Sequence, residues 1–123
     1  MKTKTTSTER SRSFILVAFQ KDAQDIIEGI LDTYHDIDTY FYIRHDKEDD
    51  IAPHYHFYVK FKYSLPLSIA QEWLNDINTR MKVCCVSMDQ VMDYFLQRDF
   101  NNLLSYKYSL TDVRGNIDLT RFE

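Results

Sequence analysis

His54-Tyr55-His56-Phe57-Tyr58-Val59-Lys60-Phe61 is a run of aromatic and β-branched residues without glycine or proline, the composition of a strand and not of a helix. Just upstream, Tyr40-Phe41-Tyr42-Ile43 has the same character. A polar, acidic stretch centred on Lys47 to Ala52 separates the two. Two such runs joined by a polar loop read as an antiparallel hairpin, and the rest of the chain has to supply the layers that cover it.

Those layers are legible on either side. Ser13 to Phe19 is a short apolar run suited to a buried central strand. After it, Ala23, Ile26, Ile27, Ile30, Leu31 and Tyr34 recur at helical spacing behind Asp22, a residue able to cap. Ser68 with Gln71 three residues on is a capping-box signature ahead of Ile69, Ala70, Trp73, Leu74 and Ile77. Val83 to Val86 reads as a fourth strand. Ser87 with Gln90 repeats the capping box and opens a helix to Arg98, with Met88, Val91, Met92 and Phe95 on its apolar side. Tyr106 to Leu110 is the expected fifth strand, and Arg114-Gly115-Asn116 a turn before a short tail. The order β-α-β-β-α-β-α-β is an α+β, ferredoxin-like split β-α-β: a largely antiparallel sheet of four to five strands with helices packed on it.

A chain of 123 residues fits one domain. Residues 1–12, polar and rich in Ser and Thr, read as a flexible arm, and 13–123 as a single folded domain. A hydrophobic fraction of 44% can fill a core, so disorder is not expected. No long apolar run and no charged-then-apolar leader is visible, which points to a cytoplasmic protein with no membrane segment. Cys84 and Cys85 are adjacent, lack CxxC spacing and read as buried free thiols in a reducing compartment. The net charge of -4 does not by itself announce a nucleic-acid binder.

Three of the four histidines, His45, His54 and His56, fall within twelve residues of one another. Residues two apart on a strand point to the same face, so His54 and His56 converge. A hairpin returns the end of the preceding strand, and with it His45, to the same spot. Glu48, Asp49 and Asp50 are the nearby carboxylates. Imidazole with carboxylate suits Mn, Zn, Co or Ni, and Mg where a substrate phosphate completes the shell. His35 has no such company and reads as a surface residue.

Among nine tyrosines, most fall in strands as packing residues. Tyr94 falls off the apolar stripe of its helix, on the side of Gln97 and Arg98. A phenol of pKa near ~10 is a poor nucleophile until its oxyanion is stabilised or its proton removed.

In three stretches the sequence resembles the HUH endonucleases, most closely the rolling-circle replication initiators of small bacterial plasmids. Ser13 to Phe19 is similar to the first strand motif. His45-Asp46-Lys47-Glu48, followed by Pro53-His54-Tyr55-His56-Phe57, is similar to the metal motif. Val91-Met92-Asp93-Tyr94-Phe95-Leu96-Gln97-Arg98 is similar to the catalytic-tyrosine helix, with Gln97 and Arg98 where many relatives carry lysine. The resemblance implies a divalent ion, Mn or Mg foremost, held by His45, Glu48, His54 and His56, with Tyr94 as nucleophile and Tyr106 or Tyr108 next in line. It implies sequence-specific nicking and rejoining of single-stranded DNA at an origin hairpin through a 5′-phosphotyrosine, so that the freed 3′-OH primes rolling-circle replication of a plasmid-type replicon. Host replication proteins are the expected further partners, and oligomers are expected if the domain belongs to a longer initiator. Lys60, Lys62, Gln97, Arg98 and Lys107 are the candidate DNA contacts by position, and Tyr55 or Tyr58 are candidates to stack on bases. The competing readings are a single-tyrosine transposase of the same superfamily and a non-catalytic nucleic-acid-binding module.

Overall fold

The central strand of the sheet is also its longest. In the computed structural model, which describes residues 9–19, 25–26, 28–29, 36–47, 52–73, 80–97 and 107–122, β3 spans His54–Pro66 and is buried on both faces from His54 to Val59. Burial on both faces is why the run reads as nearly continuous apolar sequence and not as strict alternation. Around it lie β1 (Arg10–Ala18), β2 (Ile37–His45), β4 (Arg80–Val83) and β5 (Arg114–Gly115), in the order β4-β1-β3-β2-β5. Every neighbouring pair is antiparallel, so β1 and β2 run parallel with β3 between them. This is the split arrangement expected from the sequence.

Alternation along the strands divides the core into two layers. On one face Phe14, Leu16, Tyr42, Phe57 and Phe61 pack with Leu67 and Ala70 of α1 (Leu67–Trp73), and with Ile26 from the helical residues between β1 and β2. On the other face Phe41, Ile43 and Tyr58 pack with Val91, Met92, Phe95 and Leu96 of α2 (Met88–Leu96), joined by Tyr108 and Val113 from the C-terminal segment. The capping box that opens α2 forms as expected: the Ser87 hydroxyl accepts from the Gln90 backbone at 3.2 Å, and Gln90 Oε1 accepts from the Ser87 backbone at 3.1 Å. No helix among the described residues is long and apolar enough to cross a membrane.

Several sequence expectations need correction. β1 begins at Arg10, so Arg10, Ser11 and Arg12 belong to the sheet and not to an arm; Arg12 is held there by its Nε donating to the Phe61 carbonyl at 3.0 Å. α1 starts at Leu67, directly after Pro66, which places Ser68 inside the first turn and not at the cap. β4 lies at Arg80–Val83, ahead of the Val83 to Val86 run. Cys84 follows it buried while Cys85 is exposed, and both are free thiols. The fifth strand is Arg114–Gly115, where a turn was expected; in the segment expected as a strand, Lys107 to Ser109 are irregular and Leu110 opens a 3-10 turn, Leu110–Asp112. Ser109 explains the exchange: its hydroxyl accepts from the Thr111 backbone, and Asp112 accepts from the Ser109 backbone, a local cap that competes with strand pairing. The expected helix from Asp22 falls mostly outside the described residues, as do Leu74 and Ile77.

Gly115 adopts φ 138°, and a side chain there would press into the Tyr40 carbonyl and Phe41 Cα of the neighbouring strand. Gly115→Ala is therefore expected to cost roughly 1–3 kcal/mol, the range for a strained backbone position, measured as a shift in the urea midpoint.

Candidate metal centre

The β2–β3 register sets the site. His45, the last residue of β2, stands directly across the ladder from His54, and His56 lies two residues along β3 on the same face. All three are buried, His45 to 1% exposure. Ring centroids are 4.3 Å apart for His45 and His56, 5.0 Å for His54 and His56, and 5.4 Å for His45 and His54.

Each histidine offers one ligand nitrogen, and the three nitrogens lie within 4.8 Å of one another. Two bonds of about 2.1 Å to one ion place opposite ligands ~4.2 Å apart, so small ring rotations bring this set onto a metal. The hydrogen bonds also fix which nitrogen faces it. His54 Nδ1 is 2.8 Å from the Ala52 carbonyl, which only accepts, so Nδ1 carries the proton and Nε2 the lone pair. His45 Nε2 donates to the Phe95 carbonyl at 2.6 Å, leaving the lone pair on Nδ1. Imidazoles oriented in this way by backbone carbonyls are the arrangement that metal-ligating histidines adopt.

Tyr108, which the sequence placed among the reserve nucleophiles, has a structural role. Its ring stacks on His45 at 4.5 Å and 13°. Its hydroxyl accepts from the Lys47 backbone at 2.9 Å, and the Lys47 ammonium donates to the Lys107 carbonyl at 3.1 Å. Tyr108 thus clamps the turn that leaves β2, and its oxygen is engaged below the surface. Lys107 contributes its carbonyl to the same clamp.

Tyr94 lies on the opposite side of the cluster. Val91, Met92, Phe95 and Leu96 fix α2 on the sheet, which leaves Tyr94 59% exposed. Its ring stands edge-on to His56, 5.5 Å away at 86°. Gln97 follows at the C-cap in the left-handed region, φ 57°, with its amide 3.4 Å from His45 Nδ1. This residue therefore borders the His45 nitrogen that carries the lone pair.

The other expected site residues are placed elsewhere or lie outside the described residues. Lys60 and Lys62 are further along β3, with Lys60 four residues and ~13 Å from His56, and neither joins the cluster. Tyr55 and Tyr58 are buried in the core, and burial holds the Tyr58 phenol above its ordinary range. Glu48, Asp49, Asp50, Arg98, Tyr106 and His35 lie outside the described residues. Three residues beside the cluster were not singled out from the sequence. Phe19, 47% exposed just after β1, has its ring 5.0 Å from that of His54. Arg80 and Lys82 line a groove of about 410 Å³ with His56, Tyr94, Ile15 and Val17. The charge-apolar alternation of Arg80-Met81-Lys82-Val83 was the available sign, overshadowed by the apolar run after it.

Compared with protein-family models and with curated proteins, the chain matches none.

Mn²⁺ titrated by calorimetry is expected to bind the wild-type protein and to lose at least about 10-fold in affinity in His54→Ala or His56→Ala. Tyr108→Ala is expected to cost roughly 10- to 100-fold, the range for groups that orient metal ligands, while Tyr63→Ala has no effect. Unchanged affinity in His54→Ala contradicts the site.

Proposed function

We propose that this domain is an HUH-type, metal-dependent endonuclease that nicks and rejoins single-stranded DNA with Tyr94 as nucleophile. One observation carries the reading: an exposed phenol edge-on to a buried cluster of three histidines. A tyrosine retained only for packing gains nothing from solvent exposure beside buried imidazoles. A nucleophile for a polymeric substrate needs both the exposure and the neighbouring cluster.

His45, His54 and His56 would hold the ion, and the resemblance adds Glu48 as the carboxylate ligand. An Mn²⁺ or Mg²⁺ ion bound there would supply positive charge where negative charge grows on the scissile phosphate in the transition state. Tyr94 performs the covalent step. Its oxygen forms a bond to phosphorus while the bond to the 3′ oxygen breaks, and the phenolic proton is balanced by the proton taken up at the released 3′-OH. The 5′ phosphate stays on Tyr94, so the energy of the diester is conserved for rejoining. α2 aims the nucleophile: its capped N-terminus and four buried side chains seat the helix with Tyr94 exposed beside His56. The free 3′-OH is a primer end, which accords with initiation of rolling-circle replication at a plasmid-type origin hairpin.

The test uses a 3′-labelled single-stranded oligonucleotide library carrying hairpins, so that the label stays on the strand joined to the protein. The wild-type protein with Mn²⁺ is expected to form a covalent adduct that survives denaturation, and chelator is expected to abolish it. Tyr94→Phe is expected to lose cleavage by at least about 10³-fold while keeping Mn²⁺ affinity, since the phenol oxygen is the bond-forming atom. An adduct formed by Tyr94→Phe, or full cleavage in chelator, contradicts the reading.

A further inference from the structure

The sheet face that carries the histidines is only partly covered by α2. The register orders that face into rows. One row runs Arg80, Val17, His56, Ile43, and the next Lys82, Ile15, Tyr58, Phe41. α2 packs on the Ile43 and Phe41 end of both rows. Met81, between the two cations, packs into the opposite layer, so Arg80 and Lys82 rise on the same face as Val17 and Ile15. A trough results. Its floor is the apolar strip of β1, one wall is Tyr94 and Phe95 of α2, and the other is the basic edge of β4. It opens at His56 and Tyr94.

Both cations are exposed, and among the described residues neither has a carboxylate partner. The described ion pairs lie elsewhere, Arg44 with Asp46 and Arg121 with Asp89. Two unpaired cations on an edge strand discourage edge-to-edge pairing, but that role does not call for an apolar trough leading to a histidine cluster. Arg80 and Lys82 stand two residues apart, ~6.6 Å along the strand, about one step of an extended polynucleotide. Arg80 is two strand spacings, ~10 Å, from His56, which sets its phosphate one or two nucleotides from the scissile one.

We propose that the β4–α2 groove is the track for the single DNA strand flanking the nick. Arg80 and Lys82 contact successive phosphates, and Ile15 and Val17 receive the face of an unstacked base. The proposal rests on the reading of Tyr94 as a DNA nucleophile for its substrate, while the groove binds through contacts independent of the chemical step. The charges face outward, so their removal leaves both core layers intact.

Binding is read by fluorescence anisotropy of a labelled single-stranded oligonucleotide on the Tyr94→Phe protein, over a range of salt concentrations. Adding Arg80→Gln and Lys82→Gln together is expected to weaken binding at least about 10-fold and to lower the slope of log affinity against log salt by about 1.4, two phosphate contacts at ~0.7 each. The Lys60→Gln and Lys62→Gln pair is expected to leave the slope unchanged, and Mn²⁺ affinity is expected to be the same in all three proteins. An unchanged slope in the Arg80 and Lys82 pair overturns the groove, as does a Tyr94→Phe protein that binds no single strand. If the wild-type protein nicks DNA while that slope stays fixed, the nicking reading survives without the groove. If the slope falls by the expected amount but no adduct ever forms, the groove stands and the nicking reading fails.

Discussion

His45 facing His54 across the β2–β3 ladder joins the fold of this protein to its site. Side chains alternate with a period of two, so a slip of one residue between these strands would send His54 and His56 into the opposite layer, among Phe57 and Phe61, and dissolve the cluster. The register is held next to the histidines by large aromatic side chains. Phe41 stacks on Tyr58 at 4.9 Å, and Phe95 from α2 meets Phe41 edge-on at 5.3 Å. Packing of the adjoining aromatic residues thus sets the geometry of the cluster.

The same face carries two demands that conflict physically. Buried imidazoles are costly unless each ring nitrogen is satisfied, which favours covering them completely. The proposed chemistry on a polymer demands an opening. The structure meets both by dividing the cluster's surroundings. Tyr108, the Ala52 carbonyl and the Phe95 carbonyl close the protein side and orient the rings, while Tyr94 and Phe19 border the solvent side with exposed aromatic surface. An exposed ring of either kind is unremarkable alone. Two of them flanking three buried histidines make a specific site.

Much of this was legible in the sequence because it rests on local rules. The aromatic and β-branched runs at Tyr40 to Ile43 and Tyr55 to Phe61 specify strands. The two-residue spacing of His54 and His56 specifies a shared face, and the Ser87–Gln90 capping box with its apolar stripe specifies a helix that leaves Tyr94 outside. What escaped depends on contacts between distant segments. Tyr108 sits 63 positions from His45, and nothing nearby in sequence marks it as the residue that stacks there; its surroundings even suggested a strand until the Ser109 cap is taken into account. Gly115 pairs with Phe41 because the sheet has a vacant edge, a fact that no local pattern encodes. Arg80 and Lys82 were hidden by a stronger apolar signal, Val83 to Val86, which turned out to be the exit from β4. The carboxylate among Glu48, Asp49 and Asp50 is distinguished by the resemblance and not by the described structure.

The central claim is that a divalent ion binds between the three histidines within contact range of Tyr94. Paramagnetic broadening by Mn²⁺ tests it most directly, because the effect falls steeply with distance and needs neither substrate nor turnover. With aromatic rings isotopically labelled, substoichiometric Mn²⁺ is expected to broaden the Tyr94, Tyr108 and Phe19 resonances together with the three imidazoles. Tyr63, seven residues beyond His56 on β3 and ~23 Å away, is expected to stay sharp. Broadening that spares Tyr94, or that reaches Tyr63 as strongly, would place the ion elsewhere and contradict the account.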